Sequence, residues 1–234
     1  MNLETKIHES KAIFFDLFHT LFSFKSDGVD GVDTSVNLGI PDEVWTDLLF
    51  DSSERRLRGQ VKDKYEIIRE LAHSYDRTIP EKVITKATDL REERFSRGLK
   101  HVSQEKIHVL HDLRNRGKKI GLISNADSVE VSGWKDSPFS ECFDTTIFSY
   151  ATGYIKPEPE IYLIACDSIS VKPTESVFVG DGGSNELKGA RNLGFSTVMT
   201  TEIIETLWPE KIPAISKFAD YQIKKLKELT KHNL

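Results

Sequence analysis

Residues Lys11–Phe22, KAIFFDLFHTLF, decide how the rest of the chain is read. Ala12–Phe15 is a continuous apolar run, the pattern of a parallel strand covered on both faces, and it stops at an acid, Asp16. Open α/β sheets place their chemistry at the carboxyl ends of strands, so Asp16 stands where a reactive carboxylate is expected. A buried strand ending in an Asp that caps the next turn has the same local pattern. What the chain supplies at its other strand ends separates the two.

Beyond Phe22 the character changes. Ser23–Leu38 carries Gly28, Gly31 and several Asp residues, a loop composition. From Ile40 the pattern turns helical, with Pro41, Asp42 and Glu43 suited to a first turn and Ile40, Val44, Leu48 and Leu49 on one face. A second amphipathic stretch keeps Tyr65, Ile68, Leu71, Ala72 and Tyr75 in helical spacing, and Pro80 opens a third with Val83, Ile84, Ala87 and Leu90. No strand signal falls between Phe24 and Arg94. From Ser103 helix and strand alternate, with apolar runs at Lys119–Ser124, Phe143–Phe148, Ser176–Gly180 and Phe195–Met199. Ala219–Ile223 reads as one more strand before a Lys-rich terminal helix. This order predicts an α/β fold: a Rossmann-like three-layer core with a parallel sheet over residues 1–22 and 96–234, and a small all-helical cap, residues 23–95, inserted after the first strand.

The totals narrow the function classes. The chain has 234 residues, charges of mixed sign and a net charge of −5, which argues against a nucleic-acid or anionic-membrane surface. Cys142 and Cys166 lack metal-ligand spacing and read as reduced thiols. The opening MNLETKIHES has no apolar core of a signal peptide and no later run approaches transmembrane length, so a soluble, cytoplasmic monomer or homodimer is expected.

Four polar groups lie at predicted strand ends or in the turns beside them: Asp16; Ser124 with Asn125; Lys156 in GYIKPEPEIY; and Asp181 with Glu186 in VFVGDGGSNELKGA. Parallel strands bring such ends to one rim. A carboxylate nucleophile approaching a phosphate needs its charge offset, which Lys156 and a cation both do. Asp16, Asp181 and Glu186 side by side would repel one another without a divalent ion or an ammonium, and carboxylates with open positions favour Mg²⁺.

The chain resembles the haloacid dehalogenase superfamily of hydrolases, with a helical C1-type cap inserted after the first motif. The resemblance rests on Asp16-Leu-Phe-His-Thr-Leu21, the LISNA segment ending at Ala126, Lys156-Pro-Glu-Pro, and Gly180-Asp181 through Glu186, four motifs in order along nearly the whole chain. It implies that Asp16 is the nucleophile and forms an aspartyl intermediate. It implies Mg²⁺ held by Asp16, the main-chain carbonyl of Phe18 and Asp181, with Glu186 as a supporting acid. Ser124 and Lys156 would bind the transferring group and orient Asp16, with Asn125, Thr20 and His19 in the same substrate-binding set. The substrate would be a small phosphorylated or other anionic molecule, selected by the cap. There Arg58, in Arg55-Arg56-Leu57-Arg58-Gly59, is the basic residue placed to reach an anionic group. His108, His111 and Glu105 share a helical spacing but read as a surface helix, and Trp208-Pro209 follows the strand at Phe195–Met199 without an assigned role.

One position departs from the family. Its phosphatases usually carry a second Asp two residues after the nucleophile, to protonate the leaving oxygen and then activate water. Here Phe18 occupies that place, and such acid–base help is worth on the order of 10²–10⁴ in rate. Three readings follow: a Mg²⁺-dependent phosphohydrolase that is slow, uses a good leaving group or borrows another acid such as His19; a metal-independent 2-haloacid dehalogenase-like hydrolase, since those carry a Tyr at the matching position; or a non-catalytic binder of a phosphate ligand. The retained Asp181 and Glu186 favour the first, because a metal-free enzyme has little use for two further carboxylates beside its nucleophile.

Overall fold

The computed structural model describes residues 1–24, 31–51 and 54–231, so Gly28, part of the expected loop, lies outside the described residues. Six strands form one parallel sheet: β1 (Ala12–Phe15), β2 (Lys119–Ser124), β3 (Thr145–Phe148), β4 (Ser176–Gly180), β5 (Ser196–Thr200) and β6 (Tyr221–Ile223). Their order is β3-β2-β1-β4-β5-β6. The chain runs outward from β1 to β3, then returns to lay β4 on the other side of β1. That reversal puts the end of β1 between the ends of β2 and β4, the switch point at which open sheets form a crevice.

Alternation along the strands builds two cores from one sheet. Ile13 and Phe15 of β1 join Ile120 and Leu122 of β2 and Val177 and Val179 of β4 in one cluster. Ala12 and Phe14 face the opposite side with Ile123 and Phe178. The first face is covered by helix α1 (Leu3–Glu9), through Ile7, and by α7 (Gln104–Asn115), through Ile107, Leu110 and Leu113. The second is covered by α9 (Pro159–Ser168), through Ile161, Tyr162 and Ala165, and by α10 (Glu186–Asn192), through Leu187 and Ala190. Both faces being dry explains the unbroken apolar runs seen in sequence. Gly121 lets the Phe14 ring lie across β2, where a Cβ would stand 2.3 Å from its Cδ1.

Between β1 and α7 the described chain is helical: α2 (Thr34–Leu38), α3 (Asp42–Asp51), α4 (Glu54–Leu57), α5 (Lys64–Tyr75) and α6 (Glu81–Lys100). The carboxylate of Asp63 accepts from the amides of Tyr65 and Glu66 and so starts α5. Leu38, Ile40, Trp45, Val61, Ile67, Ile68, Leu71, Ala72, Ile84 and Ala87 pack with Val129 into a third cluster of their own. Helix α6 serves two cores: Ile84 and Ala87 belong to this cluster and Leu99 to the sheet.

Two expectations need correction. The Ser23–Leu38 stretch is not all loop, because α2 forms at its end and is closed by Gly39 in the left-handed region, φ 71°. The Lys-rich terminal helix is a 3₁₀ segment, Leu226–Thr230, docked by Leu226 and Leu229. At the other end, α1 replaces what had no assigned structure: Asn2 Oδ1 accepts from the Thr5 amide at 2.8 Å and caps it. No helix among the described residues is long and apolar enough to cross a membrane.

Candidate active site

The strand order converts four separate motifs into one cluster. Asp16 follows β1, Asp181 follows β4, and Glu186 opens α10; ligand oxygens of these three buried acids lie within 4.8 Å of one another. Gly180 makes room for this approach, since a Cβ there would sit 2.0 Å from Glu186 Oε1. Lys156 comes from the loop between helix α8 (Ser149–Thr152) and α9, and it too is buried. Its Nζ donates to Asp16 Oδ1 and to Glu186 Oε2, each at 2.5 Å.

The electrostatics follow from three carboxylates sharing one ammonium out of water. Burial alone would lower the Lys156 pKa, but Asp16 and Glu186 outweigh it and hold the ammonium raised and charged. Burial, then the Asp16 charge, push Asp181 up to about 6. The same two causes raise Glu186 well above the ordinary carboxylate range. The amides of Gly183 and Gly182 donate to Asp181 Oδ1 and Glu186 Oε1, both at 3.0 Å, and fix their orientation. The surplus of negative charge, with carboxylate oxygens converging, is a donor set that fits a hard divalent cation.

Ser124 ends β2 beside β1; its hydroxyl is fully buried and has no partner among the described residues. A buried donor left uncommitted at a strand end is suited to an incoming anion. Three expected substrate-binding residues have other tasks here. Both ends of the Asn125 amide are used on the main chain of Lys156: Nδ2 donates to its carbonyl at 3.1 Å and Oδ1 accepts from its amide at 2.7 Å. Thr20 Oγ1 accepts from the Asp181 amide at 2.9 Å, stitching the turn after β1 to the end of β4. The Arg58 guanidinium is taken up by Glu158 and by the Gly153 carbonyl rather than left open to a ligand.

His19 holds a left-handed backbone, φ 64°, and its ring meets Trp208 edge-on at 4.9 Å, which gives Trp208 the place in the fold that sequence did not supply. Phe18 is half-buried in an aromatic group, edge-on to Phe95 at 6.0 Å and to Phe22 at 6.3 Å, while Arg91 lies over the Phe95 ring at 4.6 Å. Phe18 is thus held by aromatic contacts within its own turn, through Phe22, and from α6, through Phe95. His108 and His111 are exposed on α7, and among the described residues they join no metal-binding group.

Sequence reasoning missed an ion network, Arg56, Arg91, Asp127 and Glu130, that joins α4 and α6 to the loop after β2. Its only hint was the Arg-rich stretch around Arg56, because its acids look like ordinary loop residues.

The family model for haloacid dehalogenase-like hydrolases matches residues 10–194, and the chain belongs to that family. A glyceraldehyde 3-phosphate phosphatase of Methanothermobacter thermautotrophicus is 26% identical over 204 residues, covering 81% of this chain and 84% of that protein. The rat bifunctional epoxide hydrolase 2 is 34% identical over 100 residues, but the match spans only 18% of its length. A HAD phosphatase structure from Thermococcus onnurineus superposes with a TM-score of 0.60 at 27% identity, covering 94% of this chain and 95% of that one. L-2-haloacid dehalogenase from Xanthobacter autotrophicus, with chloropropionic acid covalently bound, shares the fold at a TM-score of 0.63 and 20% identity, covering 94% and 96%. The chain's relatives thus include phosphatases, and it shares its fold with a dehalogenase.

Asn125→Ala removes two hydrogen bonds and strands the polar groups of the Lys156 main chain. Urea unfolding is expected to show a loss of about 1–3 kcal/mol; an unchanged midpoint would contradict the assignment of Asn125 to the Lys156 loop.

Proposed function

We propose that this chain is a Mg²⁺-dependent phosphohydrolase acting on small phosphorylated metabolites through an aspartyl intermediate on Asp16, with residues 23–95 as a cap over the strand ends. The observation that carries this reading is the cluster of Asp16, Asp181 and Glu186, three buried acids with one ammonium among them. A metal-independent dehalogenase gains nothing from two further carboxylates crowded against its nucleophile. The phosphatase relatives, one of them matched along most of its length, support the same choice.

Asp16, Asp181 and the main-chain carbonyl of Phe18 would hold the cation, with Glu186 behind them. When bound there, Mg²⁺ would offset the charge of the transferring phosphoryl group and of the nucleophile. Lys156, fixed by Asn125 through its main chain, orients Asp16 and donates to a phosphoryl oxygen. The free Ser124 hydroxyl donates to another. Asp16 attacks phosphorus as the bond to the leaving oxygen breaks and that oxygen keeps the electron pair. Water then attacks the aspartyl phosphate, releasing inorganic phosphate and restoring Asp16. Phe18 supplies no proton to the first step and removes none in the second. The reaction therefore favours leaving groups that depart as stable anions, and the second step is slow.

An assay on activated aryl phosphates with and without Mg²⁺ tests this reading. Turnover is expected only with the metal, and Asp16→Asn should abolish it. Phe18→Asp should raise turnover of alkyl phosphates by up to about 10²–10⁴-fold. Metal-independent halide release from 2-chloropropionate, without phosphate turnover, would replace this reading with the dehalogenase one. Binding of phosphate without either reaction would replace it with a ligand-binding role.

The raised acids set a pH dependence. Between the ordinary Asp value and about 6 the folded chain keeps on Asp181 a proton that the unfolded chain has released. That contribution to stability is present at low pH and is lost as pH rises through about 6. A cation competes with the same proton, so the rise in melting temperature given by a fixed Mg²⁺ concentration should be larger at pH 7.5 than at pH 5. An equal or larger rise at pH 5 would show that Asp181 does not hold the metal.

A further inference from the structure

Two arginines, Arg56 in α4 and Arg58 just after it, reach from the helical segment to two different loops of the site. Arg56, on α4, is 8% exposed. Its Nη1 donates to Asp127 Oδ2 at 2.7 Å and to Glu130 Oε1 at 3.3 Å, and its Nη2 donates to the Leu49 carbonyl at 2.8 Å. Asp127 is 1% exposed and lies three residues after Ser124. Its Oδ1 accepts from the amides of Val129 and Glu130, both at 2.9 Å, while Glu130 Oε2 accepts from the Asp127 amide at 3.1 Å. Arg91, from α6, adds a donor to Glu130 Oε1 at 2.9 Å. The loop after β2 is thus closed by its own carboxylates, and those carboxylates are held from the helical side by two guanidiniums.

Arg58 makes the second contact. It donates to Glu158 Oε1 at 2.6 Å, to Glu158 Oε2 at 3.0 Å and to the Gly153 carbonyl at 3.1 Å. Glu158 lies two residues after Lys156, and its Oε2 also accepts from the Ile155 amide at 3.0 Å. Gly59, φ 64°, seats this segment on the core so closely that a Cβ would stand 2.0 Å from the Tyr150 carbonyl oxygen.

The buried Asp127 carboxylate is tolerated because it is paired; removing the Arg56 guanidinium leaves it without a cation while the half-buried Glu130 keeps only Arg91, and the loop must move to rehydrate Asp127. That loop carries Ser124, and the loop held by Arg58 carries Lys156. Groups of this kind act only when held within roughly 0.5 Å of their working position. We propose that Arg56 and Arg58 are positioning residues that fix the Ser124 loop and the Lys156 loop, respectively, from the helical segment, so that contacts of this segment set the geometry of the anion-binding groups. The proposal rests on the phosphohydrolase reading of Ser124 and Lys156.

The test uses Arg56→Gln, Arg56→Lys and Arg58→Gln in the full chain, with Arg69→Gln as a control whose partners, Glu66 and Glu81, lie on the helical segment away from both loops. Steady-state kinetics on an aryl phosphate, inhibition by inorganic phosphate and hydrogen exchange across residues 126–130 are measured at a temperature where each variant is folded. Arg56→Gln should lose about 10- to 10²-fold in kcat/KM, bind inorganic phosphate more weakly and exchange faster across 126–130. Arg56→Lys should recover part of each. Arg58→Gln should lose less, because its pair is open to solvent, and Arg69→Gln should match wild type. A folded Arg56→Gln with wild-type kinetics, phosphate inhibition and exchange would overturn the proposal. So would its exchange rising equally in Arg69→Gln. Wild type inert to every phosphate probe would instead remove the underlying functional reading, and loop exchange would then decide the structural clamp by itself.

Discussion

The buried ammonium of Lys156 is the interaction on which the site depends. It donates to Asp16 and Glu186 at the centre of the sheet's rim, where three acids would otherwise repel one another in a medium that screens poorly. The fold is arranged to deliver it. Reversal of strand order at β1 brings the ends of β2 and β4 to either side of Asp16, and Asn125, at the end of β2, grips the main chain of Lys156. Even so, one cation against three anions leaves a deficit, visible in the raised Asp181 and Glu186. That deficit is the physical case for a divalent ion.

The turn after Asp16 is built on the opposite principle. Phe18, Phe22 and Phe95 meet edge to edge where the resemblance to the family's phosphatases leads one to expect a second acid. Phe18 and Phe22 come from the turn after β1 and Phe95 from α6, so these contacts also tie the helical segment to the sheet. Arg56 and Arg58 tie the same segment to the loops of Ser124 and Lys156. The helical part is therefore joined to the site by hydrocarbon and by ion pairs, and Arg91, over the Phe95 ring and paired with Glu130, links the two.

Much of this was legible in the sequence because it depends on local pattern. Unbroken apolar runs announced strands buried on both faces, and the acids and the lysine at their ends announced the rim. What stayed hidden depends on distance along the chain. Arg56 and Asp127 are 71 residues apart, and nothing near either predicts the pairing. Asn125 and Thr20 carry the right chemistry for an anion, yet tertiary contacts commit their polar atoms to the backbone of Lys156 and Asp181. Arg58 looked free for a ligand for the same reason, its partner Glu158 being 100 residues away. The short helices α1 and α2 were missed because each is too brief for periodicity to show and is held by its cap and by packing.

The central claim is that Asp16 becomes phosphorylated. With Phe18 withholding acid–base help from the second step, the aspartyl phosphate should persist long enough to be trapped. Wild-type protein mixed with Mg²⁺ and an activated phosphate ester, then quenched in acid, should gain one phosphoryl group by intact mass. Peptide mapping should place it on Asp16, and hydroxylamine should remove it. The absence of that adduct under conditions where the ester is turned over would contradict the account, because phosphate would then be leaving by direct attack of water.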